Sequence, residues 1–171
     1  MSAAWPDSVE RVSSYLRESG AEGRIHEFPE VTPTAGDAAA QVGCGLDQIV
    51  KSLVFVCDGR PVLVMVPGDR RGDPDKIARA AEAGDVRVAR ADEVERATGF
   101  APGAVAPFPL PKIDLVLIDR DLLRHPLVWT GAGSEHHLLG IAPAELVRVA
   151  QARPMDVAND RAYDSSRPKE S

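Results

Sequence analysis

Hydrophobic positions in this chain follow two rhythms, one of about 3.6 residues and one of two, and the rhythms alternate irregularly from end to end. Val9, Val12 and Leu16 recur at helical spacing between Asp7 or Ser8, either able to cap the start, and Gly20, which can end the helix. Residues 24–28 predict a short strand broken by Pro29. Thr34, with Asp37 three residues on, then opens a helix that Gly43 stops. The longest apolar run, Ile49–Cys57, is β-branched and of strand length. Asp58-Gly59 turns it into a second run over residues 61–66, which predicts an antiparallel hairpin. Asp73 and Pro74 begin a helix reaching about residue 83, Val86 and Val88 suggest a strand, and residues 92–98 make a short helix closed by Gly99. Strands are expected at 113–119, 128–130 and 136–139, and Pro143 opens a last helix over residues 143–150. No segment repeats, and the irregular alternation of strands with short helices predicts one compact mixed-sheet domain of the α/β or α+β class.

Composition changes this picture little. A chain of 171 residues, 44% hydrophobic and 27% charged, can bury a core in one domain without metal or disulfide staples. No run approaches the roughly 20 apolar residues of a membrane span, and the first residues lack the pattern of a signal peptide, so a cytoplasmic protein is expected. Cys44 and Cys57 have neither redox nor metal-binding spacing and are expected to be reduced, with Cys57 in the core. The net charge of −6 argues against a protein that coats nucleic acid, although residues 58–90 hold seven basic and six acidic side chains and leave a local basic face open. Within that segment Arg70 and Arg71 sit in a loop bracketed by Gly68 and Gly72, which lacks the spaced glycines and Lys-Ser/Thr of a phosphate-binding loop. Residues 1–157 form the expected domain, and residues 158–171 read as a polar, disordered tail.

The candidate chemistry centres on Lys51. The chain holds four lysines against sixteen arginines, and one of the four stands inside an apolar strand. Period-two alternation puts Lys51 on the face of Ile49, Leu53 and Phe55, opposite Ser52, Val54 and Val56. Two readings stay open, a strand-end lysine reaching solvent and a cation held beside apolar neighbours to grip an anionic ligand. Residues 100–111 contain four prolines and one glycine, which makes a stiff loop able to aim backbone amides at a ligand. Adjacent His136 and His137 would point to opposite faces of a strand, which disfavours a shared metal, and Gly131-Ala132-Gly133-Ser134 misplaces the serine of a nucleophile elbow. Cys57 has no evident base. What remains is a lysine, a braced loop and a glycine turn, tools for positioning rather than covalent catalysis.

Four segments carry a family resemblance: Gln48-Ile49-Val50-Lys51-Ser52-Leu53-Val54-Phe55, Thr98-Gly99-Phe100-Ala101-Pro102-Gly103-Ala104-Val105-Ala106-Pro107-Phe108, Gly131-Ala132-Gly133 and Ala142-Pro143-Ala144-Glu145-Leu146-Val147. In these, the chain resembles the YbaK/ProX family of aminoacyl-tRNA deacylases, free-standing relatives of the editing domain inserted in bacterial prolyl-tRNA synthetases. The resemblance implies a mixed, mostly antiparallel, partly barrel-like sheet flanked by short helices. It also implies a trans-editing enzyme, needing no cofactor or metal, that hydrolyses the ester joining a wrong, small amino acid to tRNA. Lys51 then matches the lysine that contacts the terminal adenosine and its phosphate. Gly103, Ala104, Val105 and Pro107 match the loop lying against the aminoacyl ester, and Gly131, Ala132 and Gly133 another wall of the pocket. Pro109 departs from the glycine usual there, at the expected rim of the pocket.

The implied partner is the aminoacylated tRNA acceptor end, with a synthetase as a second partner and Arg70 and Arg71 as candidate tRNA contacts. Two other readings stand beside this one: a non-catalytic aminoacyl- or nucleotide-binding module associated with a synthetase, and a deacylase for an ester not carried on tRNA.

Overall fold

The computed structural model describes residues 5–160, and the expected tail lies outside the described residues from residue 161 onward. Five helices and eight strands follow in the order α1 (Asp7–Glu18), β1 (Gly23–Glu27), α2 (Ala35–Val42), β2 (Ile49–Cys57), β3 (Arg60–Pro67), α3 (Pro74–Ala81), β4 (Val86–Val88), α4 (Ala91–Thr98), β5 (Leu115–Asp119), β6 (Val128–Gly131), β7 (His137–Ile141), α5 (Pro143–Ala150) and β8 (Arg153–Met155). The strands form one mixed sheet in the order β1-β7-β6-β2-β3-β5-β8, with β4 added beside β2. The sheet does not close into a barrel.

Local chemistry explains most boundaries. Thr34 caps α2 by accepting the Asp37 N–H at 3.1 Å, and Asp73 caps α3 ahead of Pro74. Ser8 caps nothing. Pro6 precedes α1 instead, and the Ser8 hydroxyl donates to the Gly133 carbonyl at 2.7 Å, tying the helix to the sheet. Helix α3 stops at Ala81 because Glu82 turns left-handed, two residues short of the expected end. Strand β8 was not expected, since Arg153-Pro154-Met155 is short, contains a proline and shows no alternation.

Alternation along β2 separates two layers. Val50 and Val54 face the main core with Leu63, Met65, Phe100, Phe108 and Leu146, under α1 and α5. On the opposite face Phe55 packs with Val64, Val66 and Ile77 of α3, and Ile49 packs with Ala38 and Ala39 of α2. Lys51 lies on this second face, between the α2 and α3 clusters.

The last described residues are built into the fold. The Asp119 carboxylate, 1% exposed, accepts the N–H groups of Val157 and Ala158 at 3.1 and 3.0 Å. Arg70 reaches Asp121, lies 3.6 Å from Asp119 and donates to the Asn159 carbonyl. Lys76 closes the arrangement with the Ala158 carbonyl at 2.9 Å and Asp156 at 3.0 Å. Residues 158–160, expected in the tail, therefore pack on the loop after β3. Arg70, expected to reach outward with Arg71, turns its guanidinium into this network, toward Asp121 and the Asn159 carbonyl.

Removing that guanidinium takes the neighbouring cation from the buried Asp119 carboxylate, which keeps only its backbone N–H donors. Arg70→Ala should cost about 3 kcal/mol and lower the thermal midpoint by about 6–12 °C. A melt followed by circular dichroism measures this, and a midpoint within about 2 °C of the parent would show the network to be an inert surface pair.

Candidate functional site

The site begins with a gap in hydrogen bonding. One edge of β2 pairs with β3 from Val50 to Cys57. The other edge is shared: β6 meets it in parallel at Ile49 and Val50, and β4 meets it antiparallel from Phe55 to Cys57. Ala89 extends the β4 side by donating to the Val54 carbonyl at 3.0 Å. Between these neighbours no described strand pairs the edge at Lys51, Ser52 and Leu53. The sheet forks there, and a cleft of about 350 Å³ opens at the fork.

Three segments wall this cleft. Residues 32–35 and Ala38 close one side, held by Thr32, whose N–H and hydroxyl both donate to the Glu135 carbonyl at 2.7 and 3.0 Å. Trp129, Thr130, Gly131 and Ser134 come from β6 and the turn after it, and Gly103 and Val105 from the proline-rich loop. That loop is pressed against β6: a Cβ on Gly131 would stand 2.8 Å from the Val105 carbonyl oxygen. Gly103 has φ +84, a left-handed backbone that favours glycine, with nothing nearer to its missing Cβ than Glu135 Oε1 at 3.9 Å.

Lys51 is half-buried, and its ammonium makes no hydrogen bond or ion pair with any described residue. Burial and the neighbouring Arg71 guanidinium push its pKa below the ordinary lysine range, and Asp69 pulls partly back. Among the described residues lining the cleft it is the only ionisable one. Two further polar atoms there lack partners: Thr130 Oγ1, on a fully buried residue, and Ser52 Oγ. A half-buried cation, two unsatisfied hydroxyls and a loop of exposed backbone can hold an anion and a polar group together while excluding bulk water.

The expected site residues separate accordingly. Lys51, Gly103, Val105 and Gly131 line one cleft. Ala104 and Ala132 are buried at 5% and 0% exposure, and Pro107 is buried too, so these three support the wall from behind. Gly133 lies against α1, where a Cβ would stand 2.8 Å from the Ser8 carbonyl. Pro109 faces the shallow groove along α1 with Tyr15, away from the cleft rim. Arg71 lines a second hollow beyond Leu53.

Ser134 and His137, which show neither a nucleophile elbow nor a shared-metal pattern in the sequence, are brought together by the hairpin. Ser134 Oγ lies 2.5 Å from His137 Nδ1 and accepts the His136 N–H at 3.0 Å. His137, 2% exposed, turns Nε2 to within 3.1 Å of Glu27 Oε2, though its N–H is not aimed for a hydrogen bond. Trp5 packs edge-on at 5.3 Å. Burial pushes His137 below the ordinary histidine range against the opposing pull of Glu27, which favours the neutral ring. The i, i+3 spacing of Ser134 and His137 just after the glycine turn was the available signal.

Comparison with known proteins gives a consistent result. The family model described as the aminoacyl-tRNA editing domain matches residues 29–149. An uncharacterized protein of Bacillus subtilis, YwhH, is 29% identical over 155 residues, covering 90% of this chain and 98% of that protein. The proline–tRNA ligase of Nitratidesulfovibrio vulgaris is 34% identical over 89 residues, which are 52% of this chain and 16% of the ligase. A solved structure described as a candidate trans-editing enzyme for prolyl tRNA synthetase superposes with a TM-score of 0.84 at 35% identity, covering 91% of this chain and 99% of that one.

The two cleft glycines should respond differently to a methyl group. Gly131→Ala meets the Val105 carbonyl and should cost about 2–3 kcal/mol, whereas Gly103→Ala, with room but an unfavourable φ, should cost about 1 kcal/mol. Urea unfolding of both variants tests this, and the reverse order would show that the loop is not seated on β6.

Proposed function

The chain belongs to the aminoacyl-tRNA editing domain family, and on that premise we propose that it is a free-standing deacylase that hydrolyses the ester of a tRNA mischarged with a small amino acid. The observation that carries this reading is the unpaired Lys51 ammonium at the fork of the sheet, in a cleft lined also by Gly103, Val105 and Gly131. An aminoacyl-adenosine offers an ester, hydroxyls and a phosphate. The cation suits the phosphate, the hydroxyls of Thr130 and Ser52 suit the polar groups of the ribose or amino acid, and the segment at Gly103 and Val105 suits the ester.

In the proposed reaction a water oxygen, oriented by a substrate hydroxyl, attacks the carbonyl carbon, and the proton that water gives up passes to the departing ribose oxygen. The carbon–oxygen bond to the ribose then breaks, and the ribose oxygen leaves with a proton, releasing free amino acid and tRNA. Ester hydrolysis has a modest intrinsic barrier, so orientation and charge stabilisation can supply much of the acceleration. The cleft's size supports a small amino acid, and the cytoplasm, where charged tRNA is found, is the proposed setting. Arg71 is the proposed tRNA contact. Ser134 and His137 brace the hairpin in this reading rather than attack the ester.

Lys51→Met should leave the thermal midpoint unchanged or slightly raised, because it removes a half-buried charge without a partner. It should lower kcat/KM for a mischarged tRNA by about 100-fold or more. Burial lowers the folded-state pKa of Lys51, so the active cation is present below that pKa and is lost as pH rises through it. Enzymatic turnover, corrected for spontaneous hydrolysis, should decline on the alkaline side earlier than an ordinary lysine would dictate. A Lys51→Arg variant that retains activity should lack that decline. A panel of tRNAs charged with alanine, serine, threonine or cysteine provides the assay, and wild-type turnover by Lys51→Met would refute the assignment.

Ser134→Ala separates attack by water from attack by serine. Retention of activity within about tenfold fits the bracing role, and a loss as deep as that of Lys51→Met would move the nucleophile to Ser134.

A further inference from the structure

A second hollow of about 360 Å³ adjoins the first across the fork, and the two share Ser52, Leu53, Gly103 and Val105. Its walls are apolar: Leu53 and Phe55 on the β2 side, Val88 on β4 and Pro102 on the proline-rich loop, with Arg71 at the margin. Val88 is 67% exposed, a large apolar side chain on a strand edge facing this hollow. Ser52 and Arg71 are the only residues with polar side chains in its lining among the described residues.

Resting on the editing reading, we propose that this second hollow seats the nucleotide immediately preceding the aminoacylated adenosine. Its base lies between Leu53, Val88 and Pro102, and the phosphodiester joining the two nucleotides lies between Lys51 and Arg71. Continuity is the first argument: a chain whose terminal adenosine fills the first cleft passes across Ser52 and Leu53 into the second. Charge is the next. Lys51 and Arg71 stand on the linings of the two adjoining hollows, and a phosphate placed between two cations gains two attractions. Ser52 Oγ, buried and without a partner, stands where both hollows meet and can donate to a phosphate or ribose oxygen.

The backbone under Arg71 is fixed before any ligand arrives. Its N–H donates to Asn159 Oδ1 at 3.1 Å and its carbonyl accepts the Asn159 N–H at 2.9 Å, while Arg70 beside it is locked to Asp121. Little ordering of the loop remains to oppose binding. Apolar walls grip the faces of a base and not its edge, and among the described residues the lining offers no side-chain amide or carboxylate to read one. The subsite therefore takes any base, with affinity coming from stacking and the phosphate.

Alanyl and seryl esters of adenosine, CpA and GpA, given to the full chain, test this directly. Wild-type kcat/KM should rise about tenfold from the adenosine ester to the CpA ester, the scale of one charge-assisted contact, and the rise should shrink with added salt. CpA and GpA esters should differ by no more than about threefold. In Arg71→Gln the CpA-to-adenosine ratio should collapse towards one, and Val88→Ser should reduce it. Uncharged CpA should also inhibit the wild type more strongly than adenosine 5′-monophosphate, a difference lost in Arg71→Gln. Cleavage of the adenosine ester without any gain for CpA, or a gain that survives Arg71→Gln, overturns the subsite and leaves the editing reading standing. A strong preference between C and G overturns the base-indifferent seat. Failure of the wild type to cleave any of the esters overturns the editing reading and the subsite together.

Discussion

Two strands share one edge of β2, and neither can take all of it. β6 arrives parallel at Ile49 and Val50, β4 arrives antiparallel at Phe55, and β3 already occupies the far edge. The two neighbours on the shared edge run in opposite senses and diverge. No continuous ladder can join them, so the edge at residues 51–53 lies open. Unpaired backbone inside a sheet is costly unless solvent, side chains or a ligand reach it. Here the fork supplies the access, and the proline-rich loop and the turn after β6 close around it. A cleft in this position follows from strand directions, and its chemistry follows from the residue placed at the fork, Lys51.

That residue was legible from the sequence because strand alternation is local. A period of two assigns Lys51 to the face of Ile49 and Phe55 without knowledge of any partner strand, and the packing of those two residues beneath α2 and α3 agrees. The same is true of the β2–β3 turn at Asp58 and Gly59, both at positive φ, and of the caps of α2 and α3. The glycine turn was legible only in outline. Gly131 serves loop docking and Gly133 helix docking, two different close approaches that a string of letters does not distinguish.

What the sequence concealed was non-local. Arg70 and Arg71 are neighbours with one charge and one side-chain type, yet Arg70 is committed to Asp119, Asp121 and Asn159, residues about fifty to ninety positions away. No periodicity near residue 70 signals those partners. β8 escaped for a related reason: its three residues carry no pattern, and it exists because β5 offers a free edge in parallel register. The meeting of Ser134, His137 and Glu27 likewise required the pairing of β1 with β7, which sets Glu27 opposite His137.

The clasp between Asn159 and the Arg71 backbone has a consequence for the order in which the protein comes into being. A chain emerges from the ribosome from its first residue onward, and its early segments begin to fold before later ones exist. The β2–β3 hairpin, and Lys51 with it, can form while most of the molecule is still unmade. β6, which bounds the fork, comes later, and the loop bearing Arg71 gains its final anchor only when residue 159 arrives. One margin of the adjoining hollow is thus completed by nearly the last of the described residues, so a nascent chain carries the lysine long before it carries that margin.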